Sequence, residues 1–279
     1  MILPQSEVSG DKTVHAVWIG KELGMLEQLS IRLFLEQGLL VSLWLYDECK
    51  GVPAGVQIRD ASEILPRSSI FGYQGRPNPS LPNGGLGSFS FWSDQFQMKL
   101  LYERGGFYSQ LDVTLLGPLP TTSGHVFVRD GTAAQTCFMR MDKGSRLALD
   151  ILTELERTVN PKTMARLNWL DSMECVERTI RERGFEQSYL PNEYFQNGIS
   201  FSAKKPASDK VRLVHWWNAS AGILKHIPVR GAFYAMLLER AGIWKPSLSG
   251  DLRLLSYRVR KFSAKVRRKL GLTPSAKGV

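Results

Sequence analysis

The chain has 279 residues, 43% of them hydrophobic, enough to bury a sizeable core as one large domain or two small ones. Its formal net charge is +10, yet residues 251–279 hold nine Lys/Arg against one acid, so the tail carries +8 and the body is nearly neutral. Three scattered cysteines, Cys49, Cys137 and Cys175, exclude a disulfide framework and any cysteine metal spacing, which suits a reducing compartment.

The N-terminal MILPQSEVSGDK lacks a basic n-region and an apolar h-region, so no signal peptide is expected. No window of 18 continuous apolar residues is present to span a bilayer, and no internal repeat appears. Val14 to Ile19 reads as a short apolar strand ending at Gly20. Residues from about Leu23 to Gln37 follow as an amphipathic helix with Leu26, Leu29, Leu33 and Phe34 on one stripe. Gly38 stops it, and Leu39 to Tyr46 is a second buried strand. Apolar strand, helix, apolar strand predicts a right-handed parallel crossover, hence an α/β sheet. Val56 to Ile58 is a third short strand and Ala61 to Leu65 a short helix. Gly72 to Ser90 is dense in Gly, Pro, Ser and Asn and has no periodicity. A loop of that length is expected to act as a lid or to be an irregular excursion.

The stretch from Trp92 to Leu116 organises the rest. Phe96, Leu100 and Leu101 recur at helical spacing, with Lys99, Glu103 and Arg104 opposite, and Gly105-Gly106 ends the helix. An apolar run then starts at Phe107-Tyr108, resumes at Leu111 and continues to Leu116, and is expected to form a buried strand with Asp112 inside it. A carboxylate there either coordinates a cation or is a buried Asp that caps a loop or pairs with an Arg. Downstream, His125–Arg129 and Thr136–Met141 read as strands, Lys143-Gly144-Ser145 starts a helix running to about Arg157, and a further helical pattern lies near Asp171–Arg183. Val211 to Trp217 is a further strand, Gly231 to Ala241 a helix, and Trp244-Lys245-Pro246 a linker. His125 and His226 have no polar cluster around them and read as structural or surface residues.

His15 to Gly20, Ser93-Asp94, Leu100 to Tyr108, Asp112 and His215-Trp216-Trp217-Asn218 come in that order. In this the chain resembles bacterial glycosyltransferases that carry a sugar-binding region with a DXD motif, a group related to the catalytic domains of large clostridial glucosylating toxins. The resemblance covers roughly residues 13–240 and implies a GT-A-like, Rossmann-like nucleotide-sugar-binding domain with a mixed central sheet. It implies that Val17 and Trp18 receive the nucleotide base, with Trp18 as a stacking face. Ser93 and Asp94 would contact the ribose or the donor sugar. The DXD positions fall on Gln110-Leu111-Asp112, so Asp112 would hold a divalent cation, Mn²⁺ or Mg²⁺, that bridges the donor diphosphate. Asn218 and Ser220 lie where the toxin pattern places oxygen ligands near metal and phosphates, and His215 sits on the same strand end. The chemistry suits these residue types: a departing diphosphate builds up charge that a cation neutralises with only one or two protein carboxylates. A carboxylate such as Asp94 can steady the cationic sugar.

Two positions depart from the family pattern. Its first DXD aspartate is Gln110 here, and its arginine four residues after the Ser of Ser-Asp is Gln97. One negative and one positive charge are each replaced by a neutral amide, so the two are expected to compensate. The implied function is transfer of a sugar from a nucleotide sugar, a UDP-sugar, to a glycan or glycolipid in bacterial surface polysaccharide or lipopolysaccharide synthesis, with retention of configuration. A degenerate site that only binds nucleotide sugar or glycan, and a basic nucleic-acid-binding protein, are the alternatives. Domain boundaries are expected at 1–245 for the catalytic unit and 246–279 for a linker and tail. Across 251–270, Leu252, Leu255, Val259, Phe262, Val266 and Leu270 fall at spacings of three and four among basic residues. This is a basic amphipathic helix, either an interfacial anchor for an anionic membrane or a helix packed on its own domain. The absence of interleaved aromatics argues against nucleic acid. Location at the inner face of the bacterial cytoplasmic membrane is the corresponding expectation.

Overall fold

The structure, a computed structural model, describes residues 12–119, 124–131, 133–217, 225–247, 253 and 255. Asn218, Ser220 and all of 251–270 except Arg253 and Leu255 therefore lie outside the described residues.

Strand β1 (Thr13–Trp18), helix α1 (Met25–Glu36) and strand β2 (Leu40–Leu45) form the expected crossover, with β1 and β2 parallel. The stripe of α1 is buried at Leu26, Leu29, Leu33 and Phe34. Strand β3 (Gln57–Asp60) pairs parallel to β2 and is exposed along its whole length as the sheet edge. Helix α2 (Ser90–Arg104) stops at Gly105. Strand β4 (Gly106–Ser109) then enters the sheet parallel to β1. Strands β6 (Val126–Asp130) and β7 (Ala133–Met141) complete it as an antiparallel pair, and β7 is also antiparallel to β4. The order β3-β2-β1-β4-β7-β6 is the mixed central sheet of the α/β class that the sequence predicts.

Helices α2, α3 (Arg146–Thr158) and α4 (Asp171–Glu182) bury their apolar faces on one side of this sheet. Helix α1 covers the other side. A second sheet, β5 (Val113–Leu115), β9 (Leu213–His215) and β8 (Phe195–Asn197) in that order, lies on the α1 side. Beyond it, Trp216 and helix α5 (Phe233–Arg240) close a third cluster with Leu26, Leu29 and Leu33.

Two expectations need correction. The run from Phe107 to Leu116 is not one buried strand. The chain leaves the main sheet after Ser109, turns with Val113 N–H bonded to the Gln110 carbonyl (3.2 Å), and re-enters as β5 of the second sheet. Asp112 therefore stands in a turn between two sheets. The strand expected over Val211–Trp217 is confined to three residues, because only Leu213 to His215 find ladder partners on both sides. The Gly72–Ser90 loop is closed at its neck by two main-chain bonds, Tyr73 N to Ser88 O (2.7 Å) and Gly87 N to Tyr73 O (2.8 Å), and Tyr73 is fully buried. That anchoring favours an excursion held to the body over a lid.

Candidate functional site

Strands β1 and β4 lie side by side and parallel, so their carboxyl ends open on one edge of the sheet, the position where open α/β sheets receive ligands. Val17 and Trp18 end β1, and Gln110 to Asp112 follow β4. The Trp18 indole folds back over Gly20 and donates to the Glu22 carbonyl at 3.2 Å. A Cβ at Gly20 would come within 2.8 Å of the indole nitrogen, so a larger residue there would displace the ring.

The turn bearing Asp112 is held from three directions. Gln110 N–H donates to the Cys137 carbonyl of β7 (2.8 Å), Ser30 Oγ of α1 donates to the Leu111 carbonyl (2.8 Å), and Trp216 N–H donates to the Asp112 carbonyl (2.8 Å). A carboxylate on a turn so fixed needs little rearrangement to meet a ligand.

Strand β9 pairs His215 with Val113, which brings the imidazole against Asp112: Nε2 lies 3.4 Å from Asp112 Oδ2. The other ring nitrogen, Nδ1, is 2.9 Å from Asn197 Oδ1 on β8. That same oxygen accepts from the Trp217 indole (2.6 Å), and Asn197 Nδ2 donates to Asp130 Oδ2 at the end of β6 (3.0 Å). Burial disfavours the charged imidazole, but the Cys137 sulfur and the Asp112 carboxylate beside it outweigh that and hold His215 well above the usual imidazole range. Trp217 keeps a left-handed backbone, φ 53°, which is strained for a bulky side chain and is found preferentially at functional sites.

Ser93, Asp94 and Gln97 stand apart from this cluster, on α2. Ser93 Oγ caps back onto the Ser90 carbonyl (2.7 Å). Asp94 is buried and accepts a short hydrogen bond from Ser172 of α4 through Oδ2. Burial pushes its carboxyl up to about 6, against the pull of Ser172 and of the nearby Thr136 hydroxyl, which completes no hydrogen bond to Oδ1. Gln97 is fully buried, and neither amide atom has a hydrogen-bond partner among the described residues. No hydrogen bond therefore joins Gln97 to Gln110. Tyr108 links the two groups: its hydroxyl engages the Val17 main chain, and both Asp94 and Asp112 act with burial to raise its pKa.

The cluster offers a divalent cation one carboxylate, Asp112, beside an imidazole that its neighbours already hold charged. Among the described residues no group of three His, Cys, Asp or Glu could hold an ion. Asp112 would suit only an ion that keeps its waters and takes its remaining oxygens from a diphosphate. Asn197 and Asp130 were not among the candidates from sequence, since a three-residue strand has no periodicity to mark it. A cavity of about 330 Å³ at the start of α3 lies elsewhere, lined by His125, Ser145, Arg146 and Arg183 among others. Arg146 and Arg183 share one carboxylate there, each 2.9 Å from Asp150, and His125 Nε2 meets Ser145 Oγ at 2.9 Å, in keeping with a structural His125.

No family model and no curated protein matches the chain. Among solved structures it is similar to one titled "PaToxG Glycosyltransferase", at 13% identity and a TM-score of 0.43, over 62% of this chain and 69% of that one. A likeness of that size settles neither family nor activity. The reading of function therefore rests on the site itself.

Proposed function

We propose that the chain is a GT-A-like glycosyltransferase that moves a sugar from a nucleotide sugar, a UDP-sugar, to an acceptor glycan or glycolipid of bacterial surface polysaccharide, with retention of configuration. One observation carries this reading: a carboxylate, Asp112, on a turn held at three points where two parallel strands end, one of them ending in the aromatic Trp18. Trp18 offers a face for the base and the Val17 main chain a polar edge. Asp112, with Asn218 and Ser220 as further oxygen donors, would hold a divalent cation, Mn²⁺ or Mg²⁺. Such an ion supplies neutralisation of the charge that develops on a departing diphosphate. The chain's own groups bind and orient the donor around that point. Residues 246–279 form a linker and a basic tail in this reading, and the tail carries the body to anionic membrane at the inner leaflet, where lipid-linked acceptors sit. No helix among the described residues is long and apolar enough to cross a membrane.

A second reading has its own support. Asp94 and Gln97 are sealed in the interior and Gln110 replaces an acid, which fits a protein that holds a nucleotide sugar without turning it over. A panel of nucleotide sugars screened for thermal stabilisation identifies the ligand, because a true ligand raises stability by mass action. Hydrolysis of that ligand then decides between the readings. With saturating Mn²⁺, Asp112→Ala should lose hydrolysis at least a hundredfold while melting cooperatively. Near-wild-type turnover in that variant would remove Asp112 from the site.

A further inference from the structure

The cavity of about 330 Å³ at the start of α3 belongs to the edge of the main sheet opposite the Asp112 turn. Its lining begins at Asp142, one residue after Met141, the partner of Gly106 at the start of β4. The Asp112 turn follows the other end of that strand, after Ser109. A strand of this length spans roughly 13 Å, so the cavity is separate from the candidate donor site. One wall is fixed to α2, where Gly144 N–H donates to the Tyr102 carbonyl at 2.7 Å.

The charges around the cavity do not cancel. Asp142 is taken by the buried Arg140 at 2.8 Å, while Asp150 alone serves both Arg146 and Arg183. Lys143 lines the cavity as well. Those four cations stand against two carboxylates, which leaves two positive charges. Burial holds His125 below the usual imidazole range, so it adds none at neutral pH. Both arginines meet Asp150 through Nε, Arg146 on Oδ1 and Arg183 on Oδ2, each at 2.9 Å. A guanidinium engaged at Nε keeps its terminal amino groups for another acceptor. The shared carboxylate holds the two forks side by side, and a planar fork matches the oxygens of a phosphate. Ser145 already caps α3 by accepting from Ala148 N–H, so the guanidiniums supply the donors, not the helix end.

Beside the cations stands an apolar face. The His125 and Phe185 rings, both in the lining, stack with centroids 4.7 Å apart and planes within 7° of parallel. The volume lies at the low end of small-molecule sites, about 300–1,000 Å³, which suits a phosphate that carries one ring. A phosphomonoester bears close to two negative charges at neutral pH, matching the excess. We propose that this cavity binds a soluble phosphomonoester the size of a sugar phosphate, its phosphoryl group between Arg146 and Arg183 and its ring against His125 and Phe185. The site needs no cation and no nucleotide, so the inference stands or falls independently of the proposed function.

The experiment titrates the full chain with glucose 6-phosphate, phenyl phosphate, inorganic phosphate and glucose by calorimetry, with EDTA present to keep cations away from Asp112. The two phosphomonoesters should bind, inorganic phosphate more weakly, and glucose not at all. Failure of both phosphomonoesters to bind overturns the proposal. Arg146→Ala and Arg183→Ala should each weaken binding about 10–100-fold, the range for a lost charge-assisted hydrogen bond. Their side chains are 81% and 55% exposed, so thermal melts should stay cooperative. Arg178→Ala is the control, since its guanidinium pairs with Glu154 at 3.6 Å outside the cavity. It should change affinity by less than about twofold once salt screens the general field. Equal losses in all three variants would mean a diffuse basic surface and no site. Asp112→Ala should bind glucose 6-phosphate as wild type does, and a loss there would move the phosphate to the donor site and overturn the assignment. Phosphatidic acid vesicles, which present the same phosphomonoester on a lipid, should fail to displace glucose 6-phosphate. Displacement would overturn the choice of a soluble ligand.

Discussion

At the scale of single residues, two buried polar groups on α2 bear directly on stability. The Asp94 carboxyl rises from 3.8 in the unfolded chain to about 6 when buried, so the native state holds more protons between those values. Stability therefore falls as pH climbs from about 4 to about 6 and levels off above, a change on the order of 3 kcal/mol. Asp94→Asn keeps an acceptor for Ser172 and removes the titration. Urea unfolding at pH 4, 5, 6 and 7 should show the variant gaining on wild type across that window, and parallel curves would refute the assignment. Gln97 offers a second test. A buried amide without partners costs about 1–3 kcal/mol, so Gln97→Met should raise the urea midpoint by an amount worth about 1 kcal/mol or more. A lower midpoint would mean that the amide is satisfied by a group such as a bound water.

At the scale of elements, the stop of α2 is the sharpest local feature. Gly105 has φ 73° and ψ −164°, a region essentially closed to side chains, and a Cβ there would sit 2.6 Å from the Lys143 nitrogen. Gly144 has φ 74° with nothing within 4 Å of its would-be Cβ. Gly105→Ala should accordingly cost at least about 2 kcal/mol more than the roughly 1–2 kcal/mol expected for Gly144→Ala. Equal losses in denaturant would show that the close approach relaxes freely. This stop was legible from the sequence, as were β1, α1, β2 and the start of α3 near Ser145, because helical period, apolar runs and glycine breakers are local signals. The departure of the chain from the main sheet after Ser109 was not legible. It depends on β5 finding β9 a hundred residues later, which no local pattern encodes. Asp112 and His215 stood out in the sequence as candidates, but their juxtaposition and the hydrogen bonds behind His215 were hidden, since Asn197 and Asp130 look like ordinary loop polar residues until β8 and β6 place them.

At the scale of the whole molecule, the charge is divided between a nearly neutral body and a tail of +8. Each Lys or Arg near an anionic membrane contributes about 1 kcal/mol, and an apolar stripe adds to it. Truncation after Trp244 should abolish co-sedimentation with phosphatidylserine vesicles and leave donor hydrolysis in solution within about twofold of full-length protein. Loss of hydrolysis or of folding on truncation would instead make the tail part of the core. The pairing of β5 with β9 carries a consequence in time. Asp112 and His215 are separated by about a hundred residues, and synthesis proceeds at roughly 5–20 residues per second, so about 5–20 s pass before the aspartate can meet its histidine. In that interval β1, β2 and β4 can already pair, because all of them precede residue 110. The nascent chain should acquire a protected β1–β2–β4 layer first, with Val113–Leu115 still exchanging freely until residue 215 clears the ribosome, a lag that pulsed deuterium labelling of stalled chains can time. The Asp112–His215 pair therefore does not exist in a half-made protein and appears only once the second sheet has closed.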